Sequence, residues 1–161
     1  MRSGCILLGL AGSLAIGAAA PAAEPPHRVG PAQSPISTSV SVPPGSQLVY
    51  VSGTVPDVVD AAAPEGSVAR YGDTETQTRS VLRKIEKALA EQGLGLGDVV
   101  MMRVFLVASP GQRMDFAGMM RAYREIFGTK NQPNKPARST MQVAGLVDPG
   151  WLVEIEVTAA K

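Results

Sequence analysis

Cysteine and histidine are nearly absent from this sequence, and their scarcity removes most of the familiar ways of building an active site. There is one cysteine, Cys5, and one histidine, His27, in 161 residues. Cys5 falls in an apolar N-terminal segment and His27 in a proline-rich stretch. A cysteine nucleophile, a Ser-His-Asp arrangement and a His- or Cys-based metal cluster are therefore excluded from the domain that follows. Aromatic residues make up 4% of the chain and the formal net charge is +1. A near-neutral chain with so few rings lacks the basic face and stacking platforms that single-stranded RNA binding needs. No Gly-rich phosphate loop joins a strand to a helix either. GLGLG at 93–97 follows a helix and precedes a strand, and reads as a helix stop and a turn. Acid-base chemistry is left to Glu, Asp, Lys or Tyr, with Arg as a binding group.

What is present starts with Arg2, an apolar run from Ile6 to Ala20 and the small-residue pattern Ala20-Pro21-Ala22. This order predicts a signal peptide over 1–22 and a secreted or periplasmic protein with no membrane contact once the segment is cleaved. Cys5 lies too near the start to be a lipid-attachment site. Cleavage removes Arg2 and no acid, taking the net charge from +1 to 0, which gives no electrostatic footprint for nucleic acid or anionic lipid. Residues 23–36, rich in proline, read as a flexible lead-in, and 37–161 as one compact domain.

Along that domain STSVSV, a PPGSQ turn and LVYVSGTV predict a hairpin. The segment from Pro56 to Asp73 has no sustained period and reads as a long loop. The first helix begins at Asp73 or Thr74, with Thr74 and Gln77 in capping-box spacing, and ends at Gly93. Its apolar face carries Val81, Leu82, Ile85, Ala88 and Leu89. DVVMMRVFLVAS reads as a central strand buried on both faces. A second helix over 115–127 sets Phe116, Met119, Met120, Tyr123 and Phe127 at helical spacing, where the methionines read as core or interface filler. ARSTMQVAG and WLVEIEVTA, joined around LVDPG, read as two further strands paired in a hairpin. The order is ββαβαββ, an α+β fold with one mixed sheet and two helices on one face. Val49, Val51, Val104, Leu106, Val143, Val153, Ile155 and Val157 supply apolar surface for both sides of the sheet, so its uncovered face is expected to be buried by oligomerisation.

Two strands carry candidate chemistry. Pro136 precedes Arg138, and strand alternation puts Arg138, Thr140 and Gln142 on one face with Met141 and Val143 on the other. Glu154 and Glu156 share a face opposite Val153 and Ile155. From the residues alone Arg138 reads either as one member of a cross-strand charge pair on a solvated face or as a guanidinium held for an anion. Ser52-Gly53 reads either as a turn or as a place where a ligand approaches the backbone.

LVYVSGTV, QTRSVLRKIEKALAEQGLGLGDVV, MDFAGMMRAYREIFG, PARSTMQVAGL and VEIEVTA, in this order and spacing, resemble the Rid family of reactive-intermediate deaminases, also called YjgF-like proteins. The resemblance spans residues 37–160. It implies a chorismate-mutase-like fold, a homotrimer with clefts between subunits, and hydrolysis of small 2-imino or 2-enamino acids to 2-keto acids and ammonia without metal or cofactor. It further implies that Arg138 grips the substrate carboxylate, that Glu154 positions the attacking water, and that Ser52, Gly53 and Thr140 line the cleft. The sequence departs from the best-known members at Met120, where they have asparagine, at Ile36, where they have tyrosine, and at Thr140, often cysteine. The segment from Val58 to Arg70 is longer than is usual. These departures point to a more apolar ligand or weaker activity on the usual imino acids. The alternative is a non-catalytic binder of small carboxylates on the same trimer, using Arg138 alone. The ribonuclease activity attributed to some relatives fits the neutral chain poorly.

Overall fold

The computed structural model describes residues 24–109 and 111–161, so the expected signal peptide over 1–22 lies outside the described residues. In chain order the elements are β1 (His27–Val29), β2 (Ser39–Ser41), β3 (Leu48–Thr54), α1 (Val68–Tyr71), α2 (Thr74–Ala90), β4 (Val99–Val107), α3 (Phe116–Arg124), β5 (Ala137–Val143) and β6 (Val153–Ala160). The main sheet runs β3-β6-β4-β5. Its β3/β6 and β6/β4 pairs are antiparallel and β4/β5 is parallel, with α3 in the crossover. The architecture is the expected α+β fold with a mixed sheet.

Helix α2 forms because Leu82, Ile85 and Leu89 recur on one face, and all three are fully buried with Val81 against the sheet. Each such side chain contributes roughly 1.5–3 kcal/mol of transfer free energy. Gly93, at φ +73°, takes the left-handed conformation that ends the helix at little steric cost. The N-terminus differs from the expected capping box. Asp73 is the cap and accepts from the Thr76 amide at 2.8 Å. Gln77 is instead fully buried, donating to the carbonyls of Gly72 and Gly150 and accepting from the amide of Leu152.

Neither expected hairpin forms. β2 pairs with β1, because Pro43 and Pro44 cannot extend a ladder toward β3, and β3 pairs with β6. The segment read as a flexible lead-in thus contributes a strand. Arg28 of β1 donates to the carbonyls of Gly97 and Val99, and Ser37 bridges to Ala137 at the start of β5. At the other end, β6 inserts between β3 and β4 while β5 takes an edge. The reason lies in composition: β6 buries Val153, Ile155, Val157 and Ala159, whereas β5 carries Arg138, Ser139, Thr140 and Gln142. The connecting loop is held across the sheet by Gln77 and by Asp148, which accepts from the Tyr71 hydroxyl at 2.7 Å and the Gly150 amide at 2.7 Å.

The long loop after β3 is also more ordered than its sequence suggests. It ends in α1, and the amides of Val59 and Asp60 donate to the carbonyl of Arg70. Within the sheet Val49, Val51, Val104, Leu106, Val153, Ile155 and Val157 turn to the helix side and join or pack on the core, so they do not serve both faces. Strand β4 is correspondingly buried on one face only: Met102, Val104 and Leu106 are covered, while Arg103 is exposed. The other face of the sheet presents Leu48 and Tyr50, the latter 74% exposed, with Met141 and the Arg103–Glu156 ion pair.

Candidate functional site

Arg138 lies on edge strand β5 directly beside Met102, a fully buried residue of the helix-side core. Its side chain therefore turns toward α3. There the guanidinium stands over the Tyr123 ring at 4.3 Å from the centroid, and 6.0 Å from that of Phe116. Nη2 lies 3.2 Å from the Met120 sulfur and Nη1 4.0 Å from that of Met119, while Nε is buried without a partner. Thioethers are weak acceptors, and among the described residues no carboxylate pairs with this cation. Burial lowers its pKa, but a guanidinium stays protonated at neutral pH. The cation–π contact with Tyr123 offsets part of the desolvation cost. What remains is a half-buried fork of N–H donors with no oxygen to bind, next to the equally unpartnered Thr140 Oγ1. Such a group binds a planar anion bidentately.

Tyr123 forms the floor beneath the Arg138 guanidinium. Its hydroxyl donates to the Pro35 carbonyl at 2.9 Å and its ring stacks on Phe127 at 4.7 Å. Burial pushes the phenol up to about 12, with Arg138 working against the shift. Ile36, beside Pro35, packs on the core. The spacing of Phe116, Met119, Met120 and Tyr123 was legible as a helix face, yet nothing in it marked Phe116, Met119 and Tyr123 as the surroundings of Arg138; the parallel β4/β5 register does that.

Glu154 and Gly53 form a second cluster, with Ser52 beside Gly53 on β3. The β3/β6 ladder shifts register between Val51 and Thr54, a bulge at Ser52-Gly53 that re-aims the strand beside Glu154. A Cβ on Gly53 would stand 1.9 Å from Glu154 Oε1, so only glycine admits the carboxylate there. Glu156, which shares the face of Glu154, is ion-paired to Arg103 at 2.6 Å. Glu154 has no such partner among the described residues.

The structure does not bring the two clusters together within one chain. Glu154 is paired with Phe105 and Arg138 with Met102. These positions on β4 are three apart and hence face opposite sides of the sheet. The hairpin that would have set Arg138 near Glu154 is absent because β4 lies between β5 and β6.

The family model described as Endoribonuclease L-PSP matches residues 32–161. A RutC family protein of Pyrococcus abyssi is 34% identical over 127 residues, covering 79% of this chain and 87% of that protein. A protein of Escherichia coli K12 provisionally named reactive intermediate deaminase TdcF is 30% identical over 114 residues, or 71% and 79%. The crystal structure of E. coli TdcF with bound serine superposes at a TM-score of 0.55 with 25% identity, over 84% of this chain and 98% of that one. Rv2704 of Mycobacterium tuberculosis, a member of the YjgF/YER057c/UK114 family, superposes at 0.53 with 30% identity, over 78% and 86%. With the fold matched along with the sequence, this chain belongs to the Rid, or YjgF-like, family.

Proposed function

We propose that the protein hydrolyses small 2-imino and 2-enamino acids to 2-keto acids and ammonia, in clefts between the subunits of an exported homotrimer. The carrying observation is the Arg138 guanidinium, half-buried and bounded by sulfur and aromatic rings instead of carboxylates. A carboxylate from the substrate is the missing partner. The separation of Arg138 and Glu154 on opposite faces supports a composite site, with Arg138, Thr140 and Met120 from one subunit and Glu154, Ser52 and Gly53 from the next. The open sheet face, with Tyr50 and Leu48 exposed, supplies apolar surface for that assembly.

In this arrangement Arg138 holds the carboxylate and so fixes the adjacent imine carbon. Glu154 accepts a proton from water as its oxygen bonds to that carbon, and the C=N electron pair moves to nitrogen. The same carboxyl returns the proton to nitrogen to give a carbinolamine, then takes the hydroxyl proton as the C=O bond forms and passes it to nitrogen, so that the C–N bond breaks and ammonia leaves. An enamine enters the sequence after tautomerising to the imine, its terminal carbon gaining a proton as its nitrogen loses one. The chemical demand is modest because the imine carbon is already electrophilic, so orientation and one poised carboxylate suffice. Arg138 without Glu154 would give the alternative, a carboxylate binder.

Generating 2-aminoacrylate in situ and following pyruvate release tests this reading. Wild type accelerates release, and Arg138→Ala and Glu154→Gln do not. No acceleration by wild type, with carboxylate binding that depends on Arg138, selects the binder. Carboxylate binding that survives Arg138→Ala unchanged overturns both.

A further inference from the structure

We infer that Tyr71, acting through Asp148, is a positioning residue for Glu154: the segment leading into the strand that carries the proposed catalytic carboxylate is braced from the long loop after β3. The inference rests on the deaminase reading above. Glu154 is the second residue of β6 and is held by ladder pairing on one side only. β4 pairs it with Phe105, whereas the β3 ladder, shifted at Ser52-Gly53, pairs Thr54 with Ile155 and, among the described residues, pairs none with Glu154. Where β3 gives no register, the placement of Glu154 depends on the chain that feeds it. A carboxylate poised for proton transfer tolerates little displacement, since a misplacement on the order of 1 Å costs about 100-fold in rate.

That chain is pinned along its length. Asp148 Oδ1 accepts from the Gly150 amide at 2.7 Å, and the Trp151 amide donates to the Asp148 carbonyl at 3.0 Å. The Leu152 amide donates to Gln77 at 2.7 Å, and the Leu152 carbonyl accepts from the Val107 amide at 2.9 Å. The other oxygen of Asp148 accepts from the Tyr71 hydroxyl at 2.7 Å. Tyr71 is presented by a closed loop, in which the Val59 and Asp60 amides donate to the Arg70 carbonyl and Arg70 Nη1 returns to the Ala61 and Ala63 carbonyls at 3.0 Å each. Helix α1 sits directly on the turn. A Cβ on Gly150 would stand 2.5 Å from the Ser67 carbonyl oxygen and 2.8 Å from Tyr71 Cδ2, and the Trp151 ring meets that of Tyr71 edge-on at 6.1 Å. Ring packing already fills this contact, so the hydroxyl adds one directional bond, which orients the Asp148 carboxylate and through it the Gly150 amide. Supporting bonds of this kind hold a reacting group to its productive geometry.

The test is Tyr71→Phe, which deletes the hydroxyl and keeps the ring on Gly150. Imine is made in situ from alanine by an amino-acid oxidase, 2-keto acid release is followed well below each variant's Tm, and 2-oxobutanoate binding is titrated by calorimetry. In Tyr71→Phe kcat should fall about tenfold, while 2-oxobutanoate binding, which depends on Arg138, stays at the wild-type value. Asp148→Ala should lose at least as much, and the double variant Tyr71→Phe/Asp148→Ala should be no slower than Asp148→Ala, because both changes break one contact. Asp148→Asn should restore the rate, its amide oxygen facing the Gly150 amide and its NH2 donating to the Tyr71 hydroxyl. Amide hydrogen exchange over residues 152–155 should quicken in Tyr71→Phe, and exchange in β5 should not. An unchanged kcat, or a rate loss matched by weaker 2-oxobutanoate binding, overturns the inference and leaves the deaminase reading intact. If wild type accelerates no imine, the deaminase reading fails and exchange decides the positioning role: quickening confined to 152–155 upholds it, and unchanged exchange overturns it.

Discussion

At the scale of the residue, Arg138 and Gly53 both carry costs that folding alone does not require. A half-buried guanidinium facing thioethers gains less from its surroundings than it would from water, so Arg138→Met should leave thermal stability unchanged or raise it by up to about 1 kcal/mol. The same variant should weaken carboxylate binding by roughly 30- to 100-fold, the worth of a charge-assisted bidentate contact. Calorimetric titration beside a thermal melt separates the two effects, and a large drop in Tm would mark Arg138 as structural. Gly53→Ala is the matching probe of the Glu154 cluster. Gly53 is not among the positive-φ glycines, and the clash at 1.9 Å is with the end of the Glu154 side chain. The variant should therefore keep its Tm while losing most of kcat. Strand alternation alone was enough to show Thr140 beside Arg138 and Glu156 beside Glu154. That Glu156 is neutralised by Arg103, while Glu154 has no ion-pair partner among the described residues, required the β4/β6 register.

At the scale of the element, the N-terminal half of α2 holds the molecule together. Gln77 satisfies three backbone groups from two loops in a fully buried site. Gln77→Ala should cost about 3 kcal/mol, since buried polar groups are left unpaired; denaturant unfolding with an unchanged m-value checks it. On the outer surface Glu75 bonds Arg79 and Arg121, and Arg79 bonds Glu125, which clamps α2 to α3. These hydrogen bonds hold the Glu75 and Glu125 carboxyls below the usual carboxylate range, and the Thr76 amide does the same for Asp73. A folded pKa below the unfolded one contributes stability that is present above about pH 4 and lost as pH falls through the folded value. Unfolding midpoints should therefore fall on acidification below about pH 4, with a shallower slope in Glu75→Gln. The helix itself was legible from its apolar spacing. The capping box was not, because Gln77 finds stronger partners in a loop more than seventy residues away.

At the scale of the whole molecule, one chain presents two separate clusters, around Arg138 and around Glu154, and an open sheet face. If the clefts join neighbouring subunits, two inactive variants should complement each other. A refolded equal mixture of Arg138→Ala and Glu154→Gln should recover about a quarter of wild-type activity, because one in four randomly assembled clefts receives both intact residues. A site built within one chain would recover none. If the proposed trimer assembles through the open sheet face, Tyr50→Asp, which adds charge there, should lower the sedimentation coefficient to that of a smaller species.

The sequence by itself determined the α+β class, the helix faces, the alternation that sets Arg138 with Thr140 and Glu154 with Glu156 on one face of their own strands, and the family, because these depend on local periodicity and on motif order. Only the tertiary structure decided strand adjacency. Burial drew the apolar β6 into the sheet interior and left the polar β5 at its edge, so the two strands that looked like a hairpin are held apart by β4. That exchange puts Arg138 and Glu154 on opposite faces, and local sequence cannot anticipate it, since side-chain alternation specifies a face only relative to a strand's neighbours.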